Sequence, residues 1–166
     1  MEKTALCPGT YDPITEGHRD VIERCTKVFD RVIVAVSASS RKKPMYTVSK
    51  RVEFIKRVFK GREKIKVISF NGLLIDVARK ENASVIVKGL RAISDFEYEF
   101  QMAQMNKKLD PEIETMFLVT HPKYAYLSSS VVKEVASFNG CIKGLIPEEI
   151  EKEIISSFKN KKNAGC

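Results

Sequence analysis

The stretch TALCPGTYDPITEGHRDVIERCTKVFDRVIVAVS, residues 4–37, decides the architecture of this chain. Thr4 to Cys7 reads as a short strand that ends at Pro8-Gly9. A helix follows from about Gly17 to Phe29, because Val21, Ile22, Cys25, Val28 and Phe29 recur at helical spacing. Arg31 to Ser37 is an apolar, valine-rich run, the mark of a strand buried on both faces of a sheet.

The same alternation continues outward. A polar, basic loop from Ser39 to Tyr46 leads to a helix from about Val48 to Lys60, with Val52, Ile55, Val58 and Phe59 on one face. Lys66 to Phe70 is a predicted strand, Leu73 to Lys80 a helix and Ser84 to Val87 a strand. Ser94-Asp95-Phe96-Glu97 has the form of a capping box. The helix it opens runs to Lys107-Lys108 and stops at Asp110-Pro111. Glu114 to Thr120 is a strand, a helix starts near Ser129 or Ser130, and a last one follows Pro147.

Strands alternating with helices predict an α/β fold: a single-domain, doubly wound, Rossmann-like and mostly parallel sheet with helices on both faces. No internal repeat or linker divides residues 1–166, and a basic tail begins at about 159. Ligands of such folds bind at the carboxyl ends of the strands. The loops at Pro8 to His18, Ser39 to Tyr46, Lys88 to Arg91 and Thr120 to Ser130 all follow strands and are expected around one cleft.

Composition narrows the class. The chain is 43% hydrophobic and 30% charged, as globular proteins are. Its apolar runs fall far short of a membrane span and no secretory leader is visible, so a cytoplasmic, membrane-free protein is expected. The four cysteines form no C-x-x-C pair and are expected as free thiols. The two histidines, His18 and His121, lie too far apart for a local zinc-ligand pair, and no metal ligand is assigned. The formal charge of +8 is spread out, with concentrations at Arg41-Lys42-Lys43 and from Lys159 to Lys162. It admits nucleic acid or small anions as partners. No aromatic residues interleave with the basic stretches, which disfavours a nucleic-acid-binding module.

Neither a P-loop nor a G-x-G-x-x-G fingerprint is present. The loop Pro8-Gly9-Thr10-Tyr11-Asp12-Pro13-Ile14-Thr15-Glu16-Gly17-His18 offers another route to phosphate. Gly9 lets the backbone turn after the strand. Thr15 can cap the next helix, whose N-terminus carries free N–H groups and about half a positive charge. His18 leaves the first turn toward the same space. Taken alone it reads as a surface histidine at a helix start.

Thr15-Glu16-Gly17-His18 resembles the (H/T)-x-G-H motif of the nucleotidyltransferase superfamily. Within it the chain resembles the bacterial phosphopantetheine adenylyltransferase family, over residues 3 to about 155. Besides residues 8–18, the matching stretches are Lys42-Lys43-Pro44-Met45-Tyr46, Lys88-Gly89-Leu90-Arg91-Ala92, Asp95-Phe96-Glu97-Tyr98-Glu99 and Ser128-Ser129-Ser130-Val131-Val132-Lys133-Glu134. The resemblance implies a transferase that moves an adenylyl group from ATP to 4′-phosphopantetheine, giving dephospho-coenzyme A and pyrophosphate in coenzyme A biosynthesis. An acceptor phosphate is already anionic, so the reaction needs alignment and positive charge rather than a general base.

By the same resemblance His18 donates to the α-phosphate, and Thr10 orients both partners. Lys42 and Lys88 hold the acceptor phosphate, and Arg91 takes the β- or γ-phosphate. Tyr11, Gly89, Leu90, Glu99 and the segment Tyr124, Ala125, Tyr126, Leu127, Ser128, Ser129 and Ser130 bind ATP; Leu74 meets the pantetheine arm. Residue pattern alone leaves other readings open. Lys42 fits a solvated basic loop, Glu99 a helix surface, the serines a cap, and Leu74 a core stripe. Lys88 departs from the family's usual Arg, and Leu127 from its usual Ile. Lys50 stands three residues after Thr47 where Glu is common, which removes a capping box and sets a cation at a positive helix end.

Mg²⁺ is expected with ATP, coenzyme A as a feedback ligand, and a homohexamer as the assembly. The apolar residues on two faces of the 95–108 helix agree with a helix buried against another subunit. A sister enzyme acting on another acceptor, such as nicotinamide mononucleotide, is the competing enzyme reading.

Overall fold

Alternation along the central strands sorts the core into two layers. In β2 (Arg31–Ser37), Val32, Val34 and Val36 face one apolar cluster, while Ile33 and Ala35 face the other. β1 (Thr4–Gly9) does the same, with Ala5 and Cys7 on the first side and Leu6 on the second. All these side chains are buried. A strand covered on both sides has no polar face to show, which is why its sequence reads as an unbroken apolar run.

The computed structural model describes residues 2–39, 43–91 and 93–159, without the side chains of 93–95 and 159. On the first face α1 (Glu16–Val28) supplies Val21, Ile22 and Cys25, and α2 (Val48–Val58) supplies Phe54, Ile55 and Val58. α5 (Ser129–Ser137) adds Val132 and Ala136, and α6 (Glu148–Lys159) adds Ile150 and Ile154. The second face receives Ile75, Val77 and Ala78 of α3 (Leu74–Lys80). α4 (Ile93–Leu109) packs on β4 (Val85–Leu90) and β5 (Glu114–Val119). Burying an Ile side chain contributes roughly 1.5–3 kcal/mol. A helix of seven residues is unstable alone, so this packing, not propensity, holds α3 in place.

Every strand pairing is parallel, in the order β3 (Ile65–Phe70), β2, β1, β4, β5. The chain winds outward from β1 to β3, then returns to the other side of β1 for β4 and β5. The doubly wound parallel sheet expected from the sequence is thus present. The reversal lies between β1 and β4, which pair through Ala5–Val85 and Leu6–Ile86. A crevice at their carboxyl ends is the usual ligand site of such a sheet.

Local details refine the sequence reading. Thr47 caps α2 by accepting from the Lys50 N–H at 3.3 Å. The Lys50 ammonium lies 2.9 Å from Glu53 and 2.5 Å from Glu153 of α6, so two carboxylates offset its unfavourable place at a helix start. Cys7 and Cys25 are free and buried, as expected. Cys141 departs from that expectation, being disulfide-bonded. Lys42, Cys166, the basic tail beyond 159 and the Ser94 side chain lie outside the described residues. Among those described, no helix is long and apolar enough to cross a membrane.

Candidate active site

The strand β1 delivers its carboxyl end to the crevice and turns at once. Gly9 makes this possible: a Cβ there would meet the Tyr11 ring at 2.8 Å. Tyr11 is buried, sits at φ 50° and donates its hydroxyl to the Cys7 carbonyl at 2.9 Å. Burial raises the phenol's pKa well above its ordinary value, so it stays protonated. Its ring meets His18 edge-on, 5.1 Å between centroids.

His18 occupies the third position of α1, where a capping box usually has Glu or Gln. Here the imidazole does that task. The Thr15 side chain accepts from the His18 N–H at 3.3 Å, and the Thr15 N–H donates to His18 Nδ1 at 3.0 Å. With Nδ1 accepting, a neutral ring carries its proton on Nε2. Burial lowers the pKa to about 4, and the positive charge of Arg91 adds to the effect. At neutral pH His18 is therefore an uncharged ring with an Nε2–H to donate.

A cleft of about 400 Å³ opens between the ends of β1 and β4. Of the sequence-derived candidates, Thr10, Tyr11, His18, Lys88, Gly89, Arg91, Glu99, Leu127, Ser128, Ser129 and Ser130 line it. Ser128 caps α5 by accepting from the Val131 N–H at 3.1 Å. Two helix N-termini, those of α1 and α5, therefore reach one cleft. At α1 the Glu16 N–H goes to the Leu145 carbonyl and the His18 N–H to Thr15, which leaves the Gly17 N–H; at α5 the Ser129 and Ser130 N–H groups remain, and both ends carry partial positive charge toward an anion. The Ser129 hydroxyl donates to the Pro13 carbonyl at 2.7 Å and ties the two helix starts together.

Lys88 projects from β4 toward α4, its ammonium 3.1 Å from Glu99 Oε2. That oxygen is buried and makes no aligned hydrogen bond, so the contact is an ion pair only. Arg91 follows β4 and donates to the Leu127 carbonyl at 2.9 Å. Leu90, Tyr124, Ala125 and Tyr126 are not among the lining residues. Tyr124 is near the site: a Cβ on Gly17 would stand 3.4 Å from its Cβ. Leu74 begins α3 and packs against the second core layer, as its apolar stripe allowed.

Two residues at this end of the sheet were not singled out by sequence. The buried Asp12 carboxylate accepts from the N–H groups of Met45 and Tyr46, both at 2.9 Å, and from Lys133 at 2.5 Å. Burial works to raise its pKa, but these donors and the Lys133 charge outweigh it and hold the carboxyl below its ordinary value. Arg51 is 1% exposed and donates to three carbonyls. In a linear sequence an Asp in a turn and an Arg in a helix look like ordinary solvated charges.

Known proteins resemble this chain in sequence and in shape. A family model described as cytidylyltransferase-like matches residues 6–135. The phosphopantetheine adenylyltransferase of Clostridium botulinum (strain Eklund 17B / Type B) is 55% identical over 157 residues, covering 95% of this chain and 99% of that relative. The protein of the same name from Clostridium tetani (strain Massachusetts / E88) is 53% identical over 157 residues, covering 95% and 98%. A Vibrio parahaemolyticus crystal structure described as a "Putative Nicotinate-nucleotide Adenylyltransferase" superposes with a TM-score of 0.72 over 100% of both chains. At 16% identity that likeness concerns the fold alone.

Proposed function

The chain belongs to the phosphopantetheine adenylyltransferase family of cytidylyltransferase-like proteins, and from that membership we propose how its cleft transfers an adenylyl group from ATP to 4′-phosphopantetheine. A phosphate oxygen of the acceptor attacks the α-phosphorus of ATP. The bond to the bridging oxygen breaks, and dephospho-coenzyme A and pyrophosphate result. The observation that carries this reading is the meeting of two helix N-termini with a neutral, proton-bearing His18 at the switch point of the sheet.

Such a site aligns two anions and stabilises charge as it develops. In this proposal His18 Nε2–H donates to an α-phosphate oxygen, more strongly as the five-coordinate state gathers charge. The Thr10 hydroxyl orients the reacting phosphates. Lys88 and Lys42 hold the acceptor phosphate, Lys88 exchanging its Glu99 contact for it. Arg91 takes the departing pyrophosphate, and Leu74 and the 124–130 segment bind the arm and the adenosine.

Mg²⁺ enters as the companion of ATP. Among the described residues Glu99 is the carboxylate lining the cleft; a single carboxylate suits an ion that would arrive with ATP and be held mainly by phosphate oxygens and water. Coenzyme A shares the acceptor's arm and the adenylyl product's nucleotide, which supports a role as feedback ligand. A cytoplasmic homohexamer completes the proposal. The test is pyrophosphate release from ATP with and without 4′-phosphopantetheine: release only with the acceptor is expected. Equal release with nicotinamide mononucleotide, or none with either, overturns the assignment.

A further inference from the structure

We propose that Arg51 is a positioning residue for adenylyl transfer, which fixes Thr10 in the cleft through the Thr10 carbonyl; the inference rests on the reaction proposed above. Arg51 Nη1 donates to the Thr10 carbonyl at 2.6 Å and to the Ser37 carbonyl at 3.0 Å. Its Nε donates to the Tyr46 carbonyl at 3.1 Å. One guanidinium thus joins three segments: the turn after β1, the end of β2 and the loop into α2.

The energetics make this arrangement unusual for a purely structural residue. Taking a guanidinium out of water costs several kcal/mol before compensation. A well-packed apolar side chain of similar volume is often as stable or more so. Arg51 is 1% exposed and its three acceptors are neutral carbonyls. The nearby anion is Asp12, whose charge opposes the fall in the guanidinium's pKa that burial causes. Asp12 in turn accepts from the Met45 and Tyr46 N–H groups, so anion and cation grip the same loop from two sides. What a planar fork adds over an apolar plug is direction: it sets where three carbonyls lie relative to one another. Thr10, alone of the three, lines the cleft.

A shift of about 1 Å in a group that aligns reacting atoms can lower turnover by about a hundredfold. The experiment compares Arg51→Lys, Arg51→Met and Asp12→Asn with the wild type, below each variant's melting temperature. It measures kcat and both KM values by pyrophosphate release. The expected result is a fall in kcat of about tenfold or more for the Arg51 variants. KM for ATP changes by less than about threefold, and Lys does not rescue. Asp12→Asn, which weakens the same anchor from its anionic side, shows the same selective loss of kcat. In a Thr10→Ala background, Arg51→Lys should lower kcat by less than about twofold further, because the group it positions is gone.

Wild-type kcat in folded Arg51→Met, or losses that multiply in the double variant, would overturn the positioning role. Wild-type enzyme that releases no pyrophosphate from the two substrates overturns the reaction instead.

Discussion

His18 has two tasks in the proposed reaction: Nδ1 completes the start of α1, and Nε2 carries the proton that the proposed chemistry uses. His18→Ala removes the proposed transition-state donor, and kcat should fall on the order of a hundredfold or more. Steady-state kinetics on the folded variant check this; near-wild-type turnover would dismiss the role. The ring's pKa of about 4 also fixes a pH dependence. Above pH 5 it stays neutral, so kcat/KM should show no inflection from His18 between pH 5 and 8, and imidazole nitrogen shifts should report the neutral ring. For stability the sign is negative: an unfolded histidine protonates near 6.5, the folded one near 4. Between those values the unfolded state binds more protons, so this group lowers stability as pH falls from 6.5 to 4. Gly9 sets a second test. Gly9→Ala drives a Cβ into the buried Tyr11 ring, and about 1–3 kcal/mol of stability should be lost in denaturant titration. The motif exposed His18, Thr15 and Gly9 to a sequence reading. The reciprocal bond from Thr15 to Nδ1 stayed hidden, because the usual signal at that position is Glu or Gln. Arg51 and Asp12 stayed hidden because burial is a property of the fold, and a charge in a turn or helix reads as solvated.

Elements with a strong period were the most legible. β2 was readable as doubly buried because both of its faces are apolar, and the helical spacing of Val21, Ile22 and Cys25 gave α1. Pairings between elements were less so. Lys50 shows why: propensity makes it a poor residue at a helix start, but Glu153 comes from α6, about a hundred residues on in the chain. Lys50→Glu therefore separates the two accounts. By local rules it restores a capping box and stabilises α2. In this fold it sets a third carboxylate against Glu53 and Glu153, with Arg57 left as the cation facing that pair. The melting temperature should fall by a few degrees, and Glu153→Lys in the same chain should recover part of the loss. A rise in Lys50→Glu alone would mean that the α2–α6 pairing contributes nothing.

At the scale of the molecule, α4 is the element whose sequence and surroundings disagree. Phe96, Phe100 and Met105 are 41%, 45% and 55% exposed, and β5 beside it is the edge strand of the sheet, with Met116 and Val119 also exposed. Within one chain the helix packs on β4 and β5, with Phe96 edge-on to Phe117, but Tyr98, Met102 and Met105 on its other face are exposed as well. Contiguous apolar surface of this kind is uncommon on a monomer and typical of an interface. Subunits that bury it remove several large side chains from water at once, each worth roughly 1.5–3 kcal/mol. The proposed homohexamer then has a definite dependence. Light scattering after size exclusion should give about six times the 18.8 kDa chain mass for the wild type. Phe100→Glu with Met105→Glu should reduce that mass, because a carboxylate buried without a partner opposes association. Both residues stand apart from the cleft-lining set, so a folded, dissociated variant also reports whether assembly supports the site: unchanged ATP affinity assigns the whole cleft to one subunit. A wild type that elutes as a monomer at assay concentration ends the hexamer proposal and leaves the reaction standing.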